Sequence, residues 1–132
     1  PMPGLGFGLG LERLMLVLEA QGIELPAHPH CEVFVASMGD AALLKAFQMV
    51  RELQKCSVLA ECDTCGRSLK AQMKYADKIG ADFTIVLGDD ELASGKAVIK
   101  NMKTKEQRKI DLSESIADQF VAISTEAEDL AF

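Results

Sequence analysis

The sequence predicts an α/β domain: a five-stranded mixed sheet with three helices, preceded by a short strand–helix segment. Three observations predict it. Asp82-Phe83-Thr84-Ile85-Val86-Leu87-Gly88 is short, apolar and β-branched, and Gly88-Asp89-Asp90 ends it, as expected of a buried central strand. Before it, strand-like runs alternate with helical periods, the pattern of parallel βαβ units. After it, the chain turns and returns as a lysine-rich hairpin, which suits the polar edge of a sheet, and then closes with a helix.

The 132 residues suit one domain with an extra piece at one end. No apolar run approaches the roughly 20 residues needed to span a bilayer, and Pro1-Met2-Pro3-Gly4 lacks the basic start of a secretory signal. The chain is not a short disulfide-dense domain, so its four cysteines are expected to be reduced and the protein cytoplasmic. A net charge of -6 argues against coating nucleic acid nonspecifically. The charge is segregated, however. Six of the fourteen Lys and Arg residues lie between Lys96 and Lys109, and acids crowd the stretch from Asp111 to Asp129.

Taken in order, Gly4-Leu5-Gly6-Phe7-Gly8-Leu9-Gly10 repeats glycine at every second residue, which in a strand bares one face down to backbone. The spacing fails the third glycine of G-x-G-x-x-G. It fits a tight strand-to-helix corner or a close approach by a ligand. Leu11 to Glu19 reads as a helix with Leu14, Val17 and Leu18 on one side. Residues 22–30 read as a linker, with Gly22, Pro26, Pro29, His28 and His30 and no period. Cys31–Ser37 is the first strand of a new domain. Asp40 is a candidate N-cap for a helix through Lys55, where Leu43, Leu44, Phe47, Val50 and Leu53 keep the helical period. Val58–Cys62 is a second strand. Ser68 caps a helix through Ile79, with Leu69, Met73 and Ala76 inward, and Gly80 ends it. The strand 83–87 follows, then a hairpin of Lys96–Asn101 and Gln107–Leu112. The last helix starts near Ser113 and carries Ile116, Phe120 and Ile123. The expected divisions are 1–21, a linker at 22–30, a domain at 31–124 and an acidic tail at 125–132.

Three patches bear chemistry, each with a plain structural alternative. Cys62-Asp63-Thr64-Cys65 has redox spacing, but Cys65 sits off the helix N-terminus that would lower its pKa, and a single pair cannot build a structural zinc site. Gly66-Arg67-Ser68-Leu69-Lys70 feeds a helix N-terminus and offers donors to a phosphate or base edge, or else simple capping. Lys96, Lys100, Lys103, Lys105, Arg108 and Lys109 line the hairpin, either as an anion-binding face or as charges guarding an edge strand. No nucleophile–base pair and no metal cluster stands out.

Gly6-Phe7-Gly8-Leu9-Gly10-Leu11-Glu12-Arg13-Leu14 resembles motif 3 of class II aminoacyl-tRNA synthetases. Residues 66–81, 87–95 and 98–107 are similar to histidyl-tRNA synthetases, and the resemblance spans about residues 4 to 124. It implies the C-terminal part of such an enzyme: the end of the catalytic domain, a linker, and the anticodon-binding domain of class II synthetases. In that family, motif 3 is a strand followed by a helix. Gly8, Gly10, Glu12 and Arg13 would then belong to an ATP site, with Arg13 on the triphosphate. ATP and magnesium are cofactors implied for the full-length enzyme, and none is expected on this chain, which should not aminoacylate alone. The implied function is binding of the anticodon stem-loop of histidine tRNA by splayed-base recognition. Arg67, Ser68 and Lys70 are expected in one contact region, and Glu91, Lys96, Lys100 and Lys103 in another. Glu91 would accept from a base amino group. A homodimer is implied for the full-length enzyme. A protein–protein or dimerisation module, and a thiol redox module using Cys62 and Cys65, are the alternatives.

Overall fold

A computed structural model describes residues 1–24 and 29–129; His28 and Pro26 of the linker lie outside them. The elements are α1 (Leu11–Ala20), β1 (Val33–Ser37), α2 (Asp40–Lys55), β2 (Ala60–Cys62), α3 (Leu69–Lys78), β3 (Phe83–Leu87), α4 (Asp89–Ser94), β4 (Lys96–Asn101), β5 (Gln107–Asp111) and α5 (Ile116–Asp129). One sheet runs β2-β1-β3-β4-β5. β1 pairs in parallel with both β2 and β3, and β4 and β5 are antiparallel. The expected βαβαβ unit with a hairpin is therefore present, and β3 is its middle strand.

The two faces of the sheet differ. On one, Val33, Val35, Phe83, Ile85, Leu87, Ala97, Ile99 and Ile110 pack under α2 and α5. Phe120 of α5 meets Phe83 edge-on with ring centroids 5.3 Å apart. Leu53 of α2 is fully buried there, so truncating it to alanine should cost about 2–5 kcal/mol. On the other face, α3 packs Ala76, with Leu69, Met73, Tyr75 and Ile79, on Phe34, Ala36 and Val86. β1 and β3 alternate between these two layers and are buried almost throughout, which is why they read as continuous apolar runs.

Several local expectations are corrected. Residues 1–10 form no strand, and all of them are exposed. A strand requires ladder partners, and no other described segment reaches this one. α1 forms as expected, but none of its residues is buried. The N-cap of α2 is Gly39 at φ 89°, not Asp40, which occupies the first turn. Ser68 stands at the N-cap of α3 without a side-chain cap bond. α4 occupies what reads in the sequence as a turn. α5 runs on through Asp129, past the expected boundary at 124. No helix among the described residues is long and apolar enough to cross a membrane.

Candidate nucleic-acid interface

The alternation of β4 puts Ala97 and Ile99 into the core and Lys96, Val98 and Lys100 on the α3 side. α3 covers only the β1–β3 half of that side. By register, Asp111, Lys109 and Gln107 of β5 stand beside Lys96, Val98 and Lys100. The result is an uncovered half-sheet with three lysines around Val98, which is 40 % exposed. Lys100 is half-buried next to Thr84 and makes no ion pair among the described residues. Lys96 faces Asp111, whose carboxyl is held below its usual range, chiefly by hydrogen bonds from Ser113 and to a lesser degree by the Lys96 charge. Residues 96–109 carry six cations against Glu106 alone, so a net +5 sits in a chain of -6. That concentration favours a polyanion here over the rest of the surface.

Two of the other hairpin cations leave this face. Arg108 points to the opposite layer and pairs with Glu126 of α5 at 2.6 Å. Lys103 lies in the turn and binds Asp82 Oδ1 at 2.7 Å. The turn itself is shaped by Asn101, whose Oδ1 accepts from the backbone N–H groups of Lys103 and Thr104 at 2.9 and 3.0 Å. His30 Nε2 lies 2.6 Å from the other Asp82 oxygen. Burial works against ionised Asp82, but the hydrogen bonds and charges of Lys103 and His30 outweigh it and lower its pKa. Lys103 was expected beside Lys96 and Lys100. The structure instead commits it to a clasp joining the linker end, the start of β3 and the hairpin turn.

Arg67 is held in place by its loop. Buried Asp63 accepts from the Arg67 backbone N–H at 2.8 Å with Oδ2 and lies 3.6 Å from Nε with Oδ1. The guanidinium lies over the Tyr75 ring, 4.7 Å from its centroid, and Tyr75 in turn packs edge-on against Phe34. Gln72, only 2 % exposed, completes the scaffold. Its Oε1 accepts from Ser37 N–H at 2.9 Å, and its Nε2 donates to Ser37 C=O at 2.8 Å and to Arg67 C=O at 2.7 Å. The Glu32 carbonyl accepts from Phe83 and the Met38 N–H donates to Leu87, both toward β3, while the Val33 N–H donates to Leu59 on the β2 side, so by alternation Ser37 faces β2. β2 stops at Cys62, opposite Val35, and the Gln72 amide stands in for the missing strand. Ser68 and Lys70 are exposed on this loop and the first turn of α3.

A groove of about 480 Å³ opens between the ends of β1 and the 63–69 loop. It lies where α2 and α3 depart to opposite faces, a common ligand position in α/β sheets. Asp40 and Asp63 line it, so its charge suits phosphate less well than the hairpin does. Glu91 is also accounted for locally. Its Oε2 accepts from the Gly88 N–H at 2.9 Å, half of a capping box for α4. A Cβ at Gly88 would stand 3.1 Å from that oxygen and 3.2 Å from Met38 Cε, so a side chain there would crowd the cap. Glu91 thus gives one carboxylate oxygen, Oε2, to the fold, where the sequence suggested a wholly free acceptor.

Gly8, Gly10, Glu12 and Arg13 are all exposed. No atom lies within 4 Å of a Cβ built on Gly8, and only Arg13 itself approaches one built on Gly10. These four residues by themselves do not enclose an ATP site. Among the described residues no group of three or more His, Cys, Asp or Glu is placed to hold a metal ion. Burial, and then Asp63 and Glu61, raise the Cys62 pKa, the opposite of what a redox thiol needs.

Asp63, Gln72 and Tyr75 were not identified as site residues from sequence. The signal for Gln72 was a polar residue at an inward helical position, between Leu69 and Ala76. The pairings of Asp63 and Tyr75 with Arg67 had no signal beyond the i, i+4 spacing of Asp63.

Comparison with known proteins agrees with this architecture. An anticodon binding domain family matches residues 32–118. The histidine–tRNA ligase of Acetivibrio thermocellus is 55 % identical over 117 residues, covering 89 % of this chain and 28 % of that protein. That of Clostridium perfringens is 51 % identical, covering 83 % and 26 %. The apo histidyl-tRNA synthetase of S. aureus superposes with a TM-score of 0.66 at 41 % identity, over 83 % of this chain and 32 % of that one. The Nostoc sp. PCC 7120 enzyme gives 0.62 at 28 % identity, over 86 % and 28 %. The chain thus spans little more than a quarter of the length of the curated relatives it matches. It belongs to the anticodon binding domain family, in the form similar to that of histidyl-tRNA synthetases.

Proposed function

We propose that this chain binds the anticodon stem-loop of histidine tRNA on the α3 side of β4 and β5. The observation that carries the reading is the uncovered half-sheet where Lys96, Lys100 and Lys109 surround exposed Val98. Lysines there hold phosphates, while Val98 and the loop before α3 offer surfaces to unstacked bases. The parent activity inferred is ligation of histidine to tRNA with ATP and magnesium, by a dimeric cytoplasmic enzyme. The chain alone contributes recognition and no catalysis, and Gly8, Gly10, Glu12 and Arg13 would complete an ATP site only beside the rest of that enzyme.

Filter binding tests this with a histidine anticodon stem-loop beside one of changed anticodon. The first should bind more tightly. Lys100→Ala should weaken binding and reduce the slope of log K against log salt by about one. Equal or absent binding of the two RNAs rejects the assignment, and an unchanged slope removes Lys100 from any phosphate contact.

A further inference from the structure

We infer that Arg67 acts as a stacking plate for one unpaired RNA base, and not as a phosphate clamp. This deepens the RNA-binding reading above and rests on it. Three observations carry it. The guanidinium already lies over the Tyr75 ring, 4.7 Å from its centroid, so one side of it already meets an aromatic ring. Its charge is partly answered by Asp63, which is buried and also holds the Arg67 backbone N–H. Yet 39 % of the side chain stays open to solvent. A guanidinium has a flat, weakly hydrated face that stacks on aromatic rings, which an ammonium lacks.

The composition adds to the case. The chain has no tryptophan and one tyrosine. Of the described phenylalanines, Phe34, Phe83 and Phe120 are buried. Phe47 is exposed on α2, which covers the opposite face of the sheet, and Phe7 is exposed in the N-terminal segment, which forms no part of the sheet. A base arriving at the α3 side therefore meets Tyr75 capped by Arg67 as its planar surface. Gln72 and Asp63 fix the loop from behind, so the plane is set before the base arrives, and little side-chain freedom is lost on binding.

The test uses the 132-residue chain and a histidine anticodon stem-loop with 2-aminopurine placed at each anticodon position in turn. Arg67→Lys, which keeps the charge and loses the plane, should weaken binding about tenfold, the order of one base stack. Arg67→Ala should match it. Neither should change the salt slope, and quenching of 2-aminopurine should disappear at one position. Thermal melts confirm that each variant folds. If Arg67→Lys keeps wild-type affinity while Arg67→Ala loses affinity and lowers the salt slope by about one, Arg67 is a phosphate contact and the plate is refuted. Wild-type affinity for both variants also refutes it, while leaving RNA binding intact. No binding by the wild-type chain refutes the underlying RNA reading, and the plate with it.

Discussion

Replacing Gln72 with leucine tests whether one buried amide joins the sheet to the loop that presents Arg67. Leucine keeps the approximate volume and removes every hydrogen bond. Three partners lose the amide: Ser37 N–H, Ser37 C=O and Arg67 C=O, now bonded at 2.9, 2.8 and 2.7 Å. A buried polar group left without a partner costs about 1–3 kcal/mol. The two Ser37 groups are buried, whereas the Arg67 carbonyl adjoins the groove and can take up water, so the loss should be about 2–6 kcal/mol. With a urea m-value of about 1.5 kcal/mol/M, the midpoint should fall by roughly 1.3–4 M, read by far-UV circular dichroism. Gln72→Glu sharpens the test. Its carboxylate still accepts from Ser37 N–H but faces two carbonyl oxygens, so it should be destabilised at neutral pH and partly recover when acid supplies a proton. A Gln72→Leu midpoint corresponding to a loss below about 0.5 kcal/mol would refute the claim that this amide replaces a strand.

Three other outcomes follow from the same structure. Asp82 has a lowered carboxyl pKa, so its contribution is present above the ordinary aspartate value of about 3.9 and is lost as pH falls through the folded value. Asp82→Asn should be less stable than wild type at pH 7, with the gap closing under stronger acid; urea midpoints that differ equally at pH 7 and pH 3 would contradict this. Burial, then the Glu61 charge, push the Cys31 thiol up to about 12, so iodoacetamide should label exposed Cys56 and Cys65 first and Cys31 only on unfolding. Rapid labelling of Cys62 or Cys65 well below the free-thiol pKa would revive a redox role. Because no residue of α1 is buried, removing residues 1–22 should shift Tm by less than about 2 °C. It should also reduce self-association, since Leu11, Leu14, Met15, Leu16 and Val17 are all exposed; a much larger loss of Tm would mean α1 packs on the domain.

The sheet was legible because its strands obey simple rules. The run 83–87 is apolar apart from Thr84 and matches β3 residue for residue, and Lys96–Asn101 alternates as a strand with one covered face must. α4 was missed because a single turn following Gly88 carries too few residues to show a period. The glycine-striped segment has the composition of a strand but no ladder within the described residues, and pairing is a tertiary property that local pattern does not contain. For the interface, sequence could gather lysines but could not sort them. Lys96, Lys100 and Lys109 share a face, Arg108 takes the other because strand side chains alternate, and Lys103 is drawn to Asp82, 21 residues earlier in the chain. The Arg67 scaffold was hidden for the same reason, since Gln72 reaches Ser37 across 35 positions.

The most direct measurement of the whole account is amide and side-chain chemical-shift mapping of the chain titrated with the histidine anticodon stem-loop. The account predicts saturable shifts at Lys96, Val98, Lys100, Lys109, Arg67 and Tyr75, with the α2 surface around Leu44 and Phe47 unmoved. Shifts concentrated on α2 or α1, with the α3 side of β4 and β5 silent, would contradict it.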